Sequence, residues 1–176
     1  MDLTLHRLER EIASCLHGLD ADRTQLRPPS RPGKWSIQQI VEHLLLSYSG
    51  AEMALNARLV KGRPTQAKPN LMQRMGQYTV VRLGYFPTGR QAPALVMPAE
   101  TVHPLSGDEL AEAAKDHLAR LDVLCVEAEG LFGGDCQCAS HMSLGPLSVD
   151  QWRRFQLIHG EHHLKQIVAI RRAHRV

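Results

Sequence analysis

The sequence has few aromatic residues, 5% of its 176, and no segment alternates cleanly between apolar and polar side chains. Both features argue against a protein built mainly of β-strands, because strands favour aromatic and β-branched residues in alternating patterns. The chain also has no apolar run long enough to cross a membrane, and its first residues lack the basic-then-apolar order of a secretory signal. We therefore predict an all-α protein with a single domain, residues 1–176, in the cytoplasm.

The net charge is also small, because the 21 lysines and arginines exceed the 18 acidic residues by only three. The basic residues collect in the segment 23–34 and near the end of the chain. Neither stretch has the interleaved aromatic residues that stack on nucleic-acid bases. We expect a small molecule as partner rather than a nucleic acid or a membrane, and the sequence leaves a homodimer open.

The chain has four cysteines. Cys15 and Cys125 fall on apolar helical faces and are predicted to be small core residues. Cys136 and Cys138 form a C-x-C pair in a glycine-rich loop, which is not the spacing of common zinc or redox motifs. We therefore expect no metal ligand among the cysteines and predict that the thiols are reduced.

One helix-start pattern occurs three times along the chain. Each copy has a serine followed three residues later by Gln or Glu, with apolar residues on either side, as in a capping box with a hydrophobic staple. The three pairs are Ser36 with Gln39, Ser106 with Glu109, and Ser148 with Gln151. Since each pair precedes an amphipathic segment, the three serines predict three helix N-termini.

Together with an apolar stripe near the start of the chain, these signals predict four amphipathic helices, and hence a four-helix bundle. The predicted bounds are the chain start to about 18–20, 36 to before Gly62, 106 to before Gly130, and 148 nearly to the end. The connection between the second and third helices, about 63–105, is far longer than a hairpin needs. We predict a short helix near 70–83 within it, and a crossover of this length allows the two flanking helices to run parallel.

Histidines interrupt the apolar stripe of the last helix, in the segment HGEHHLKQI at 159–167. His159 and His163 are four residues apart, so their rings lie on one side of adjacent turns and can converge on one ion. On the second predicted helix, His43 lies at the edge of the apolar stripe beside small residues. A single histidine on a core face is most often a hydrogen-bonded core residue, but the three together predict a divalent metal site.

The neighbouring polar residues allow more than one interpretation. His162 points slightly aside and is a candidate either to support the site or to act in catalysis, and Glu161 is a candidate base or a surface residue. His141, predicted in the loop before the last helix, is a candidate cofactor-binding residue at the mouth of the site or a loop cap. Three neutral nitrogens would leave a coordination position open, as in catalytic sites.

The chain resembles the DinB-like superfamily of four-helix-bundle metalloproteins. The segments that carry the resemblance are KWSIQQIVEHLLLSY (34–48), HGEHHLKQI (159–167) and HMSLGPLSVDQW (141–152), the last being similar to a branch known only as a domain of unknown function. The resemblance implies a bundle with parallel second and third helices and a divalent metal, often nickel or zinc, on His43, His159 and His163. Relatives with known activity use a low-molecular-weight thiol such as bacillithiol or mycothiol.

Three functions follow from the residues and the resemblance. The first is a metal-dependent thiol S-transferase or isomerase. The second is a metal-dependent hydrolase, in which Glu161 or His162 would be a candidate base. The third is a metal-binding or small-molecule-binding protein without catalytic activity.

Overall fold

The computed structural model describes residues 1–87, 89 and 92–176. Within them the chain is mostly helical, as predicted, but it also has a small two-stranded antiparallel sheet. The elements are α1 (Leu3–Leu16), α2 (Ile37–Val60), α3 (Leu71–Gly76), α4 (Gly107–Phe132), β1 (Ala139–His141), β2 (Gly145–Leu147) and α5 (Val149–His174). The all-α prediction is therefore wrong for residues 139–147, where two strands of three residues each are too short to show an alternating pattern.

All three predicted capping boxes are present. Each serine accepts a hydrogen bond from the backbone N–H three residues on, and the Gln or Glu side chain reaches back to the serine N–H, at the starts of α2, α4 and α5. A fourth box, from Asn70 to Gln73, starts α3. The short helix predicted near 70–83 consists of α3 followed by a π-helix, Gln77–Arg82. Two predicted ends were misplaced, because α1 stops at Leu16 and α4 continues past Gly130 to Phe132.

Helices α2 and α4 pack against each other and run in the same direction. Near their starts, the side-chain oxygen of Gln38 accepts a hydrogen bond from the backbone N–H of Leu105 at 2.9 Å. Farther along both helices, the Glu52 carboxylate lies 2.7 Å from Nδ1 of His117. The long connection between α2 and α4 returns the chain to the end at which α2 began.

Helices α1 and α5 also run in the same direction. Arg7 of α1 pairs with Glu161 of α5, and farther along Arg171 donates to the carbonyl oxygen of Cys15 at 2.6 Å. The two helices approach closely at Gly160, where an added Cβ would lie 2.4 Å from Cδ1 of Leu8. This close approach fixes the position of α5 one residue beyond His159.

The buried apolar residues form two clusters along the helices. One cluster contains residues of α1, the first halves of α2 and α4, and the last turns of α5. The other contains residues of the second halves of α2 and α4, the π-helix, the hairpin and the first turns of α5. Cys125 is buried in the second cluster and Cys15 is partly buried against the first, as predicted. The central turns of α5 lie between the clusters, and there the core face carries His159 and His163.

No helix within the described residues is both long enough and apolar enough to cross a membrane.

Candidate metal site

Three imidazole rings converge where the second turn of α2 faces the middle of α5. Nε2 of His159 lies 3.1 Å from Nε2 of His43 and 3.1 Å from Nε2 of His163. Each residue offers one ligand atom, and these atoms all lie within 4.8 Å of one another. The three residues are only 4–6% exposed. The structure thus brings together the same three histidines that the sequence predicted as a set.

The hydrogen bond at Nδ1 of His43 determines the tautomer of this ring. Nδ1 of His43 lies 2.7 Å from the backbone carbonyl oxygen of Val96, and a carbonyl oxygen only accepts hydrogen bonds. Nδ1 therefore carries the hydrogen, and the lone pair of the neutral ring is on Nε2, facing the other two imidazoles. A hydrogen bond to one ring nitrogen is the usual way in which proteins orient a metal-binding histidine.

Two of the three separations between the nitrogens, both of them 3.1 Å, fit ligation of one ion. Two nitrogens that each lie about 2.0–2.1 Å from an ion are about 2.9–3.4 Å apart at octahedral to tetrahedral angles. Hydrogen bonds among the rings account for the cluster less well, because the neutral His43 ring has no hydrogen on Nε2. A hydrogen on Nε2 of His159 can point at only one of its two neighbours. A divalent ion would instead engage all three lone pairs.

The surroundings keep these rings neutral, as metal ligation requires. Burial lowers the pKa of His43, and it lowers the pKa of His159 well below its ordinary value, with a further contribution from His163. Burial, with the nearby His43 ring, lowers the pKa of His163 to about 3. All three imidazoles are therefore neutral at physiological pH.

Aromatic side chains enclose the cluster. The centre of the Trp35 ring system lies 5.0 Å from the His43 ring and 6.4 Å from the His163 ring, and Phe86 stacks on His159 at 5.1 Å. The sequence pattern predicted neither Trp35 nor Phe86 as part of the site. Within the described residues, the group contains no carboxylate and no cysteine. No negatively charged side chain of the group would therefore offset the charge of a divalent ion held there, in apolar surroundings.

The two candidate catalytic residues lie between His159 and His163 in the sequence of α5. Glu161 is on the α1 side of α5, where its carboxylate pairs with Arg7. The His162 ring packs 4.9 Å from Phe86 and 5.0 Å from the His163 ring, and its Nε2 is 3.1 Å from the side-chain nitrogen of Gln166. Their catalytic roles remain predictions.

His141, the candidate cofactor-binding residue, is at the end of β1 rather than in a loop. Its Nδ1 accepts hydrogen bonds from the backbone N–H groups of Ser143 and Leu144, both at 3.1 Å. The ring packs against Trp152 and Phe155, at 5.4 and 4.5 Å. These contacts give His141 the capping role that was one of its two predicted interpretations, and its binding role remains a prediction.

The half-buried His141 predicts acid sensitivity of the fold. Burial lowers its pKa to about 4, whereas an unfolded histidine has a pKa of about 6.5. The unfolded chain therefore binds more protons between these values, and the free energy of unfolding should fall by up to about 3 kcal/mol as the pH drops through this window. In His141→Asn the side-chain oxygen can still accept the two backbone hydrogen bonds but does not titrate.

Urea unfolding at several pH values between 7 and 4, with a chelator present, measures this effect. The free energy of unfolding should change less with pH in His141→Asn than in the wild type. This pH dependence should be unchanged in the control His6→Asn, because His6 is exposed. Equal pH dependence in the wild type and His141→Asn would contradict the prediction.

The sequence matches a known protein family. A family model described as "Protein of unknown function (DUF1569)" matches residues 1–170. The chain belongs to the DUF1569 family. No curated protein and no solved structure matches the chain. The predicted membership in a family of unknown function is confirmed, and the wider DinB-like relationship remains a prediction. Since the DUF1569 description names no activity, the function has to be argued from the three-histidine site.

Proposed function

We propose that this DUF1569 protein is a divalent-metal enzyme of the DinB-like superfamily that acts on a low-molecular-weight thiol, as an S-transferase or isomerase. The observation that carries the proposal is the convergence of the Nε2 atoms of His43, His159 and His163. The parallel α2 and α4, joined by a long crossover, support the DinB-like assignment of the bundle. Zinc and nickel are the metals that we expect, because both accept imidazole ligands.

A divalent ion on three imidazoles has room for a further ligand, and it would bind a thiol sulfur as the thiolate and lower its pKa. The chain's own residues favour an anionic ligand of this kind. The three histidines are neutral and no carboxylate lies among them, so the double charge of the ion would be uncompensated within the described residues. Trp35 and Phe86 limit access of water, and low polarity strengthens the attraction between an ion and an anionic ligand.

Two of the three ligand histidines, His43 and His159, each have a distinct means of support. His43 is held by its hydrogen bond to the Val96 carbonyl, and His159 is stacked between Phe86 and Phe155, at 5.1 and 5.3 Å. Ser47, on the next turn of α2 after His43, lies 3.5 Å from Nδ1 of His159. Such restraints keep the Nε2 atoms directed at one point, as a site with an exchangeable ligand requires.

Hydrolysis is less well supported by the same geometry. A metal-dependent hydrolase commonly uses a base close to the ion, and the predicted candidate Glu161 is paired with Arg7 on the α1 side of α5. His162 remains a candidate for this role, although its Nε2 faces Gln166. A protein that only binds metal would have the same three ligands but no response to thiols.

Cobalt substitution tests the proposal. Protein purified without a His tag is stripped of metal, loaded with Co²⁺ and titrated with a small thiol such as 2-mercaptoethanol. We expect a sulfur-to-cobalt charge-transfer absorption that saturates with the thiol. Ethylene glycol, in which oxygen replaces the sulfur, serves as the matched control and should not produce the band.

The outcomes separate the alternatives. A protein that binds Co²⁺ but gives no thiol-dependent band would contradict the thiol chemistry and leave a metal-binding protein or a hydrolase. A protein that takes up neither cobalt, zinc nor nickel would contradict the metal site itself.

A further inference from the structure

A second site lies where the π-helix Gln77–Arg82 packs against the first turns of α5. A cavity of about 460 Å³ opens there, and none of its lining residues belongs to the histidine group. Its volume is within the range of about 300–1,000 Å³ of small-molecule sites. Three of its lining residues are arginines: Arg74, Arg82 and Arg154.

Local structure accounts for this concentration of charge. Arg74, Tyr78 and Arg82 recur every four residues through α3 and the π-helix, and Arg154 of α5 faces them across the cavity. One nitrogen of Arg154 donates to the carbonyl oxygen of Arg82 at 3.3 Å, which connects the two elements. π-Helices are rare and often mark functional positions.

The positive charge is only partly compensated. Asp150 is the one acidic residue among the lining residues, so three positive charges and one negative charge leave a formal charge of +2. The Asp150 carboxylate is also 3.4 Å from the guanidinium of Arg153, which is nearly buried. Within residues 1–87, 89 and 92–176, none of the three lining arginines forms an ion pair. Apart from the Arg154 nitrogen that donates to the Arg82 carbonyl oxygen, their guanidinium nitrogens remain available to a ligand.

We propose that this cavity binds a small phosphate monoester with an apolar body. Guanidinium groups match the oxygen atoms of a phosphate in geometry as well as in charge. A doubly charged phosphate would neutralise the +2 of the cavity. Tyr78 and Val81 provide an apolar wall beside the arginines for the rest of the molecule.

Isothermal titration calorimetry with phenyl phosphate tests the site in the full-length protein. We expect saturable binding that weakens as salt is added, since salt screens exposed charges. Arg82→Gln and Arg74→Gln should each weaken binding on the order of tenfold, because each removes a charge-assisted hydrogen bond. Benzoate, with a single negative charge, should bind less tightly than phenyl phosphate.

Two control variants and one gain-of-affinity variant make the test specific. Arg63→Gln, at an exposed arginine outside the cavity, should bind as the wild type does. His159→Ala should also bind normally, because the proposed site does not use the histidine group. Asp150→Asn should bind more tightly, since it removes the opposing charge.

The proposal would be overturned if the wild type does not bind phenyl phosphate saturably or if Arg82→Gln binds it equally well. Loss of binding in His159→Ala would instead place the phosphate at the histidine group and would also overturn this site. None of these results depends on thiol chemistry, so the anion site and the proposed function can fail separately.

Discussion

His159→Ala should abolish stoichiometric binding of a divalent ion. His159 is the central member of the group, with its Nε2 3.1 Å from both of the other ligand nitrogens. Removing it leaves one ligand on α2 and one on α5, and two imidazoles bind zinc or nickel poorly. We expect a loss of affinity well beyond the roughly 10–100-fold that removal of a residue supporting a ligand costs. Elemental analysis and a competitive chelator titration of tag-free protein measure this loss.

Two other histidines provide matched controls for this variant. His117→Ala removes a half-buried histidine that pairs with Glu52 at the α2–α4 contact, away from the site, and should retain metal. His162→Ala removes a histidine whose ring lies 5.0 Å from the His163 ring, and it should cost less metal affinity than His159→Ala. Wild-type metal content in His159→Ala would refute the three-histidine site, and equal losses in His162→Ala and His159→Ala would make His162 a ligand. Circular dichroism should show that each variant remains helical.

Gly107→Ala should destabilise the protein by about 3 kcal/mol or more, although it adds only one methyl group. A Cβ at Gly107, the first residue of α4, would lie 2.0 Å from the backbone carbonyl oxygen of Leu16 and 3.2 Å from Cβ of Leu19. The backbone N–H of Gly107 also donates to the carbonyl oxygen of Leu19 at 2.8 Å. Backbone atoms cannot rotate away as a side chain can, so the end of α1 and the start of α4 would have to separate.

Gly130→Ala, in the same helix, is the matched control. No heavy atom would lie within 4 Å of its added Cβ, and alanine favours helix over glycine by about 0.5–1 kcal/mol. This variant should therefore be as stable as the wild type or slightly more stable. Urea unfolding of both variants with a chelator present removes any contribution from metal binding. Equal midpoints for Gly107→Ala and the wild type would refute the close contact between α1 and α4.

The helices were predictable where the sequence carries local signals. The capping pairs at Ser36, Ser106 and Ser148 marked three starts correctly, because a cap depends on residues only three apart. The end of α4 was not predictable, because Gly130 can continue a helix as well as end one. The strands of the hairpin were missed since each has three residues and the second contains Pro146.

The three-histidine set was predictable because the polar positions interrupt otherwise apolar faces of α2 and α5. The surroundings of the set were not, because they come from segments without a regular pattern. Phe86 and Val96 belong to the crossover, where the apolar residues have no regular spacing that would predict which side chains face inward. Likewise, the pairing of Glu161 with Arg7 depends on how α1 lies against α5, which a single helical pattern does not specify.

The hydrogen bond between His43 and Val96 links the chemistry of the site to the conformation of the crossover. An ion on Nε2 withdraws electron density from the ring and makes the N–H at Nδ1 a stronger donor, so loading the site should hold segment 94–96 more firmly. A molecule that draws this segment away from α2 should therefore weaken metal binding. By thermodynamic reciprocity, bound metal weakens the binding of that molecule by the same factor. If the site holds an ion, the long connection between α2 and α4 would couple events at the protein surface to the occupancy of that site.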